Sequence, residues 1–136
     1  MKIQDLIIIG GGQSALACSY FLRRTELQYL ILDAEEECGA AWRWTWDSLT
    51  LFSPAEHSSL PGWRMPKGTE TFPGREEVID YLCQYEERYQ LPIQRPVKVT
   101  GVFREDDHYR LETSAGTYRS RAVISATGTF RAPFIP

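Results

Sequence analysis

The stretch "IIIGGGQSALACSYFL", residues 7–22, places three consecutive glycines between a short apolar run and a segment with helical spacing. Ile3–Ile9 reads as a buried strand, and residues 13–24 as a helix carrying Leu16, Ala17, Tyr20 and Phe21. A second apolar run, Tyr29–Leu32, ends in Asp33. Strand, helix, strand at this spacing predicts a βαβ unit and a parallel sheet. The pattern between them is Gly10-x-Gly12-x-x-Ala15. Gly10 permits a tight turn, Gly12 removes the side chain that would hold a pyrophosphate off the backbone, and Ala15 lets the helix pack close to the strand. The backbone N–H groups opening the helix, at Gln13 and Ser14, then face an anion along the helix dipole. Asp33, about twenty residues on, is placed to accept hydrogen bonds from an adenosine ribose. A carboxylate there argues against a 2′-phosphate, so NADP is not expected at this turn.

Bulk properties narrow the function classes. The chain has 136 residues, 43% of them apolar, and a net charge of −3. That length supports one domain with its own core. The charge gives no basis for nucleic acid or an acidic membrane as partner. No apolar run approaches the roughly 18 residues of a membrane span, and residues 6–9 are too short for a secretory h-region. The three cysteines, Cys18, Cys38 and Cys83, form no C-x-x-C pair. Their simplest reading is reduced thiols in a cytoplasmic protein, and no metal set is expected.

Beyond Asp33 lies an irregular stretch, residues 35–74, rich in Trp, Pro, Ser and Gly; excursions of that length are normally functional. Trp42, Trp44 and Trp46 alternate with polar residues, and in an extended segment they would share one face, with Trp44 and Trp46 in the core. A second helix is expected over residues 75–89. Gly74 would serve as its N-cap, with Glu76 and Glu77 at its positive end and Val78, Leu82, Tyr85 and Tyr89 on the face packed against the sheet. Three strands follow, at residues 97–104, 108–113 and 118–126, separated by polar turns. His108 alternates toward solvent, and His57 has no general-base partner.

The glycine fingerprint alone does not choose between FAD and NAD. The closing stretch "ISATGTFRAPFIP" resembles the A-T-G-x-x-x-x-P segment that ends the first FAD section in flavoproteins with two dinucleotide-binding domains; here it is Ala126, Thr127, Gly128 and Pro133. The middle of the chain, "CGAAWRWTWDSLTLFSPAEHSSLPGW" and then "FPGREEVIDYLCQYEERYQLPI", resembles the class B FAD-dependent monooxygenases that use NAD(P)H. The similarity is to bacterial flavin-containing monooxygenase-like proteins, arsenic-resistance-associated ones included, and to plant indole-pyruvate monooxygenases. The family's G-G-x-W turn is Gly39-Ala40-Ala41-Trp42, its D-x-L-x-L stretch is Asp47 to Leu51, and its pre-helix proline is Pro73; Ala40 replaces the second glycine.

The resemblance implies an α/β fold: a Rossmann-like FAD-binding domain with a parallel sheet and a three-stranded antiparallel β-meander, incomplete. Residues 1–136 would be its N-terminal part. The family's F-x-G-x-x-x-H stretch and a second glycine turn for NADPH or NADH do not occur in this sequence, whose last glycine is Gly128. Incompleteness predicts that the isolated chain is inactive and self-associates through uncovered apolar surface. The implied cofactor contacts are Gly10, Gly12, Gln13, Ser14, Ala15, Asp33, Trp42, Arg43, Val99, Ala126, Thr127 and Gly128. Trp42 would lie beside the flavin, with core packing as the alternative. Arg43 would approach the phosphates, with a solvated charge as the alternative. The implied activity is transfer of one oxygen atom from O2 to a small substrate through a flavin C4a-(hydro)peroxide, with no catalytic side chain assigned. A flavin-dependent dehydrogenase or reductase, or a non-enzymatic dinucleotide-binding module, remain the other readings. Cys38 lies near where disulfide reductases of this superfold place a redox cysteine, but no second cysteine follows within a few residues, which disfavours that chemistry.

Overall fold

The computed structural model describes residues 2–136. Its framework is one six-stranded mixed sheet in the order β3-β2-β1-β6-β5-β4. The strands are β1 (Ile3–Ile9), β2 (Tyr29–Leu32), β3 (Ile93–Gln94), β4 (Val99–Glu105), β5 (His108–Thr113) and β6 (Gly116–Ser125). Strand β1 sits in the middle because its run from Leu6 to Ile8 is apolar on both faces, and all three residues are buried. It pairs in parallel with β2 on one side and β6 on the other.

Strand β6 joins what reads in the sequence as two separate units. Its first half pairs antiparallel with β5, from Gly116 opposite Thr113 to Ser120 opposite Tyr109. From Arg119 to Ser125 it also runs parallel to β1. Parallel sheet and meander are therefore one continuous sheet.

The sequence reading does not contain β3, two residues between Pro92 and Pro96 that pair in parallel with Ile31 and Leu32. Two residues carry no periodicity. Helix α1 (Gln13–Leu22) ends two residues before the expected boundary, where the Thr25 hydroxyl donates to the Leu22 carbonyl at 2.6 Å. Strand β4 begins at Val99 because the Val97 N–H donates instead to the Asp33 carbonyl, at 2.8 Å.

Helix α2 (Arg75–Arg88) buries Val78, Leu82 and Tyr85 as expected, with Tyr89 half-buried. It packs against Leu16 of α1 and against Ala55 and Met65 of the irregular segment, rather than flat on the sheet. Two phenols pin that segment. Tyr81 accepts the Leu60 N–H at 2.8 Å and donates to the Trp63 carbonyl at 2.5 Å, and Tyr85 donates to the Pro61 carbonyl at 2.5 Å. Burial pushes both hydroxyls above the ordinary tyrosine range, so they stay protonated and able to donate.

Several expectations are corrected. Residues Ala40–Trp44 form a 3-10 turn instead of an extended run. Alternate residues on such a turn do not share a face. Trp44 and Trp46 are 57% and 64% exposed, not core. His108 is turned inward: it lies opposite Glu105 in the β4–β5 hairpin, its Nδ1 is 2.9 Å from Asp107 Oδ1, and its Nε2 is 3.6 Å from Glu105 Oε2. Cys38 and Cys83 are joined by a disulfide, and Cys18 is free. Spacing could not show this pair, because the two residues are 45 apart in sequence and meet only where α2 packs beside the 3-10 turn. Among the described residues, no helix is long and apolar enough to cross a membrane.

The phenol anchors give a direct test. Replacing Tyr85 with Phe leaves the Pro61 carbonyl without its donor and is expected to cost about 1 kcal/mol. The urea midpoint should fall while the slope of unfolding free energy against denaturant is unchanged.

Candidate cofactor site

The ends of β1, β2 and β6 converge on the glycine turn. Gly10 adopts φ +106°, donates its N–H to the Leu32 carbonyl at 2.8 Å, and lies so close to the last strand that a Cβ would be 2.3 Å from the Ala126 carbonyl oxygen. Gly11 is confined by contact: a Cβ there would lie 2.3 Å from Asp33 Oδ2. The fold itself requires both glycines.

Gly12 differs. It is the extended N-cap of α1 (φ −87°), and a Cβ there would meet only the Ala40 methyl, at the ordinary contact distance of 3.5 Å. Neither backbone geometry nor packing demands a glycine at this position. Its missing side chain leaves an open cradle at the mouth of a helix.

The two long helices begin in opposite ways. Helix α2 closes its own N-terminus, with Glu76 and Glu77 in its first turn and Glu77 accepting the Gly74 N–H at 3.3 Å. Helix α1 has no acidic residue in its first turn and no side-chain cap. Gln13 and Ser14 are exposed. The first N–H groups of α1 thus remain available to an external acceptor, at the positive end of the helix dipole. A pyrophosphate fits this cradle.

Asp33 ends β2 almost fully buried, at 3% exposure. Its Oδ1 accepts the Glu35 N–H at 3.2 Å and its Oδ2 accepts Arg95 Nε at 2.8 Å. The other two guanidinium nitrogens of Arg95 form a fork on Glu86 of α2, at 2.7 and 3.0 Å. Burial pulls the Arg95 pKa down, but the hydrogen bonds and charges of Glu86 and Asp33 outweigh it and leave it raised. One cation thereby serves two carboxylates, and the triad carries a net negative charge beside the turn. That charge suits neutral ribose hydroxyls and disfavours an additional phosphate. The sequence reading did not include Arg95, whose only linear signal is a charged residue between Gln94 and Pro96.

Ala15 is buried under the turn. Ala126 faces Gly10, and Thr127 and Gly128 (φ +68°) follow it, exposed. Val99 packs against the cluster of Ile7, Leu32, Val97 and Leu111. Trp42 packs half-buried on the α2 core, with its carbonyl accepting Arg75 Nε at 3.0 Å. The guanidinium of Arg43 is engaged by the Cys38 carbonyl, by the two cysteine sulfurs and by Glu37. Arg43 also lines a cleft of about 410 Å³ beside Asp33, with Ala34, Glu35, Trp44 and Arg131. There Glu35 accepts Trp44 Nε1 at 3.1 Å and Arg131 Nε at 2.9 Å. His57 is exposed.

Residues 7–136 match the family model described as pyridine nucleotide-disulphide oxidoreductase. The chain belongs to this family. It is 36% identical over 134 residues to an uncharacterized CzcO-like oxidoreductase of Geobacillus kaustophilus, covering 98% of this chain and 38% of that protein. It is 29% identical to the probable indole-3-pyruvate monooxygenase YUCCA1 of Arabidopsis thaliana, covering 96% of this chain and 32% of that one. Among solved structures, the flavin-containing monooxygenase of Stenotrophomonas maltophilia superposes with a TM-score of 0.96 at 49% identity, over all of this chain and 42% of that one. The chain thus spans about two fifths of the length of such relatives. The resemblance to flavin and indole-pyruvate monooxygenases, and the Rossmann-like fold it implied, are borne out.

Because Arg95 holds both Asp33 and Glu86, removing it leaves the buried Asp33 carboxylate and the half-buried Glu86 without their shared cation. Arg95→Met is expected to destabilise the fold by about 3 kcal/mol. Glu86→Gln, which retains a partner for the guanidinium, should cost less than half of that. Chemical denaturation of the two variants side by side reads the difference.

Proposed function

We propose that these residues form the FAD-binding portion of an NAD(P)H-dependent flavin monooxygenase that carries one oxygen atom from O2 to a small substrate. The observation that carries the reading is the cradle at Gly12, where a side chain would fit the fold but is absent, in front of a helix start with no acid or cap of its own. The 49% identity with a flavin-containing monooxygenase over the whole of this chain supports flavin as the ligand. When bound, the flavin would supply the two-electron relay and the activation of O2.

The chain's own residues bind and orient. In this reading the N–H groups of Gly12, Gln13 and Ser14 hold the pyrophosphate, and Ala15 keeps the helix close enough to the sheet to aim them. Asp33 accepts the ribose hydroxyls, held in one orientation by Arg95. Ala126, Thr127 and Gly128 close the turn from the β6 side, and Val99 borders the adenosine end. Trp42 offers an apolar wall to the isoalloxazine, with its backbone tied to α2 through Arg75. None of these roles requires a proton-transfer residue. One glycine turn of this kind serves one dinucleotide, so NADPH or NADH would be held by other groups.

Gly12→Ala tests the reading. A methyl there meets only Ala40, so thermal stability without cofactor should be nearly unchanged. FAD affinity should fall at least tenfold, because losing one charge-assisted hydrogen bond to the pyrophosphate costs about 1.5–3 kcal/mol. Unchanged FAD titration curves in a folded variant would refute the assignment.

A further inference from the structure

The disulfide joins the site to the second helix. Cys38 immediately precedes Gly39, the left-handed residue that opens the 3-10 turn, and Cys83 lies within α2. Both cysteines are partly exposed, which a small thiol needs in order to reach the bond. Arg43, from the same turn, folds back over it. Its Nε donates to the Cys38 carbonyl at 2.5 Å, and one terminal nitrogen lies 3.9 Å from the Cys38 sulfur and 3.8 Å from the Cys83 sulfur. A guanidinium anchored at that distance favours whichever sulfur becomes a thiolate. Thiol–disulfide exchange is faster when the departing sulfur carries negative charge readily. Exposure and a neighbouring cation both make a disulfide easier to open, and this one has both.

We infer that Cys38–Cys83 is a reversible redox cross-link, opened by dithiols or small thiols, that sets how firmly the Gly39-to-Trp44 turn closes on the glycine turn. An attacking thiolate bonds to one sulfur and breaks the S–S bond. The other sulfur leaves with the electron pair as a thiolate beside Arg43. The second thiol of the dithiol then attacks the reagent sulfur of the mixed disulfide, and the protein sulfur held there leaves as a thiolate. Two electrons and two protons pass to the protein, and the dithiol becomes a disulfide.

The cross-link is not the only tie on this turn. Arg75 donates to the carbonyls of Trp42 and Arg43 at 3.0 and 2.8 Å. Reduction therefore frees the Cys38 end while Arg75 keeps the Trp42 end on α2. Ala40, next to the freed end, is the residue that faces Gly12. Opening should loosen the wall opposite the pyrophosphate cradle and weaken FAD binding. Only this last consequence rests on the cofactor reading.

The experiment equilibrates the purified protein with oxidised glutathione, then with graded dithiothreitol, and alkylates with N-ethylmaleimide before peptide mass spectrometry. After oxidation only Cys18 should be labelled. Millimolar dithiothreitol should expose Cys38 and Cys83 together without unfolding the protein, and reoxidation should reverse it. Arg43→Gln should slow opening about three- to tenfold, and Arg43→Lys, which keeps the charge, should recover most of the rate. FAD titration should show weaker binding in the reduced protein and in Cys83→Ser. Failure to cross-link under oxidised glutathione, or resistance to millimolar dithiothreitol in the folded protein, overturns the proposal. So does an opening rate indifferent to the charge at position 43. Equal FAD affinity in both states overturns the coupling to the site. If FAD binds neither state, the cofactor reading fails while the thiol measurements still decide the redox chemistry.

Discussion

The structure depends on how closely three strand ends can approach one another at the glycine turn. At Gly10 the chain passes against the Ala126 carbonyl, and at Gly11 against the Asp33 carboxylate. A methyl at Gly10 would push the end of β6 away from β1, and one at Gly11 would displace the Asp33 side chain. Both contacts lie at the C-terminal edge of the parallel strands, the edge at which open α/β sheets collect their ligands. The constraint that closes the fold thus also delimits the site. Gly12, one residue further, is free of it, and its lack of a side chain serves the cradle instead.

Charge distribution supports the same division. The chain neutralises the start of α2 with its own glutamates and leaves the start of α1 open. It places a carboxylate beside that opening and holds it with a half-buried arginine, shared with a second carboxylate from α2. A buried ion cluster is seldom the most stabilising choice compared with apolar packing. Its value here is positional, since it fixes Asp33 in one orientation and ties α2 to the end of β2.

The irregular segment between Asp33 and α2 has almost no regular backbone pairing to define its course. Side chains define it instead. Tyr81 and Tyr85 hold the loop around Pro61, Arg75 holds the 3-10 turn by two carbonyls, and the disulfide holds the start of that turn. All of these anchors come from α2, which acts less as a cover for the sheet than as a post to which the loop is fastened.

Local chemistry made much of this legible in the sequence. The apolar run of β1, the Gly10-x-Gly12-x-x-Ala15 spacing, Asp33 at the end of β2 and the amphipathic face of α2 each express a short-range rule, and each is found where that rule puts it. What linear reading missed shares a different trait. The two-residue strand β3, the clamp of Arg95 on Asp33 and Glu86, and the Cys38–Cys83 bond join segments far apart in the chain. Alternation placed Trp44 and Trp46 together in the core, but the backbone turned into a 3-10 helix and left both in solvent. The sequence by itself determined the local elements and the glycine turn, because helix period, strand burial and glycine geometry act over a few residues. Only the tertiary structure decided which distant charges and sulfurs meet, because those meetings depend on where α2 docks rather than on any spacing along the chain.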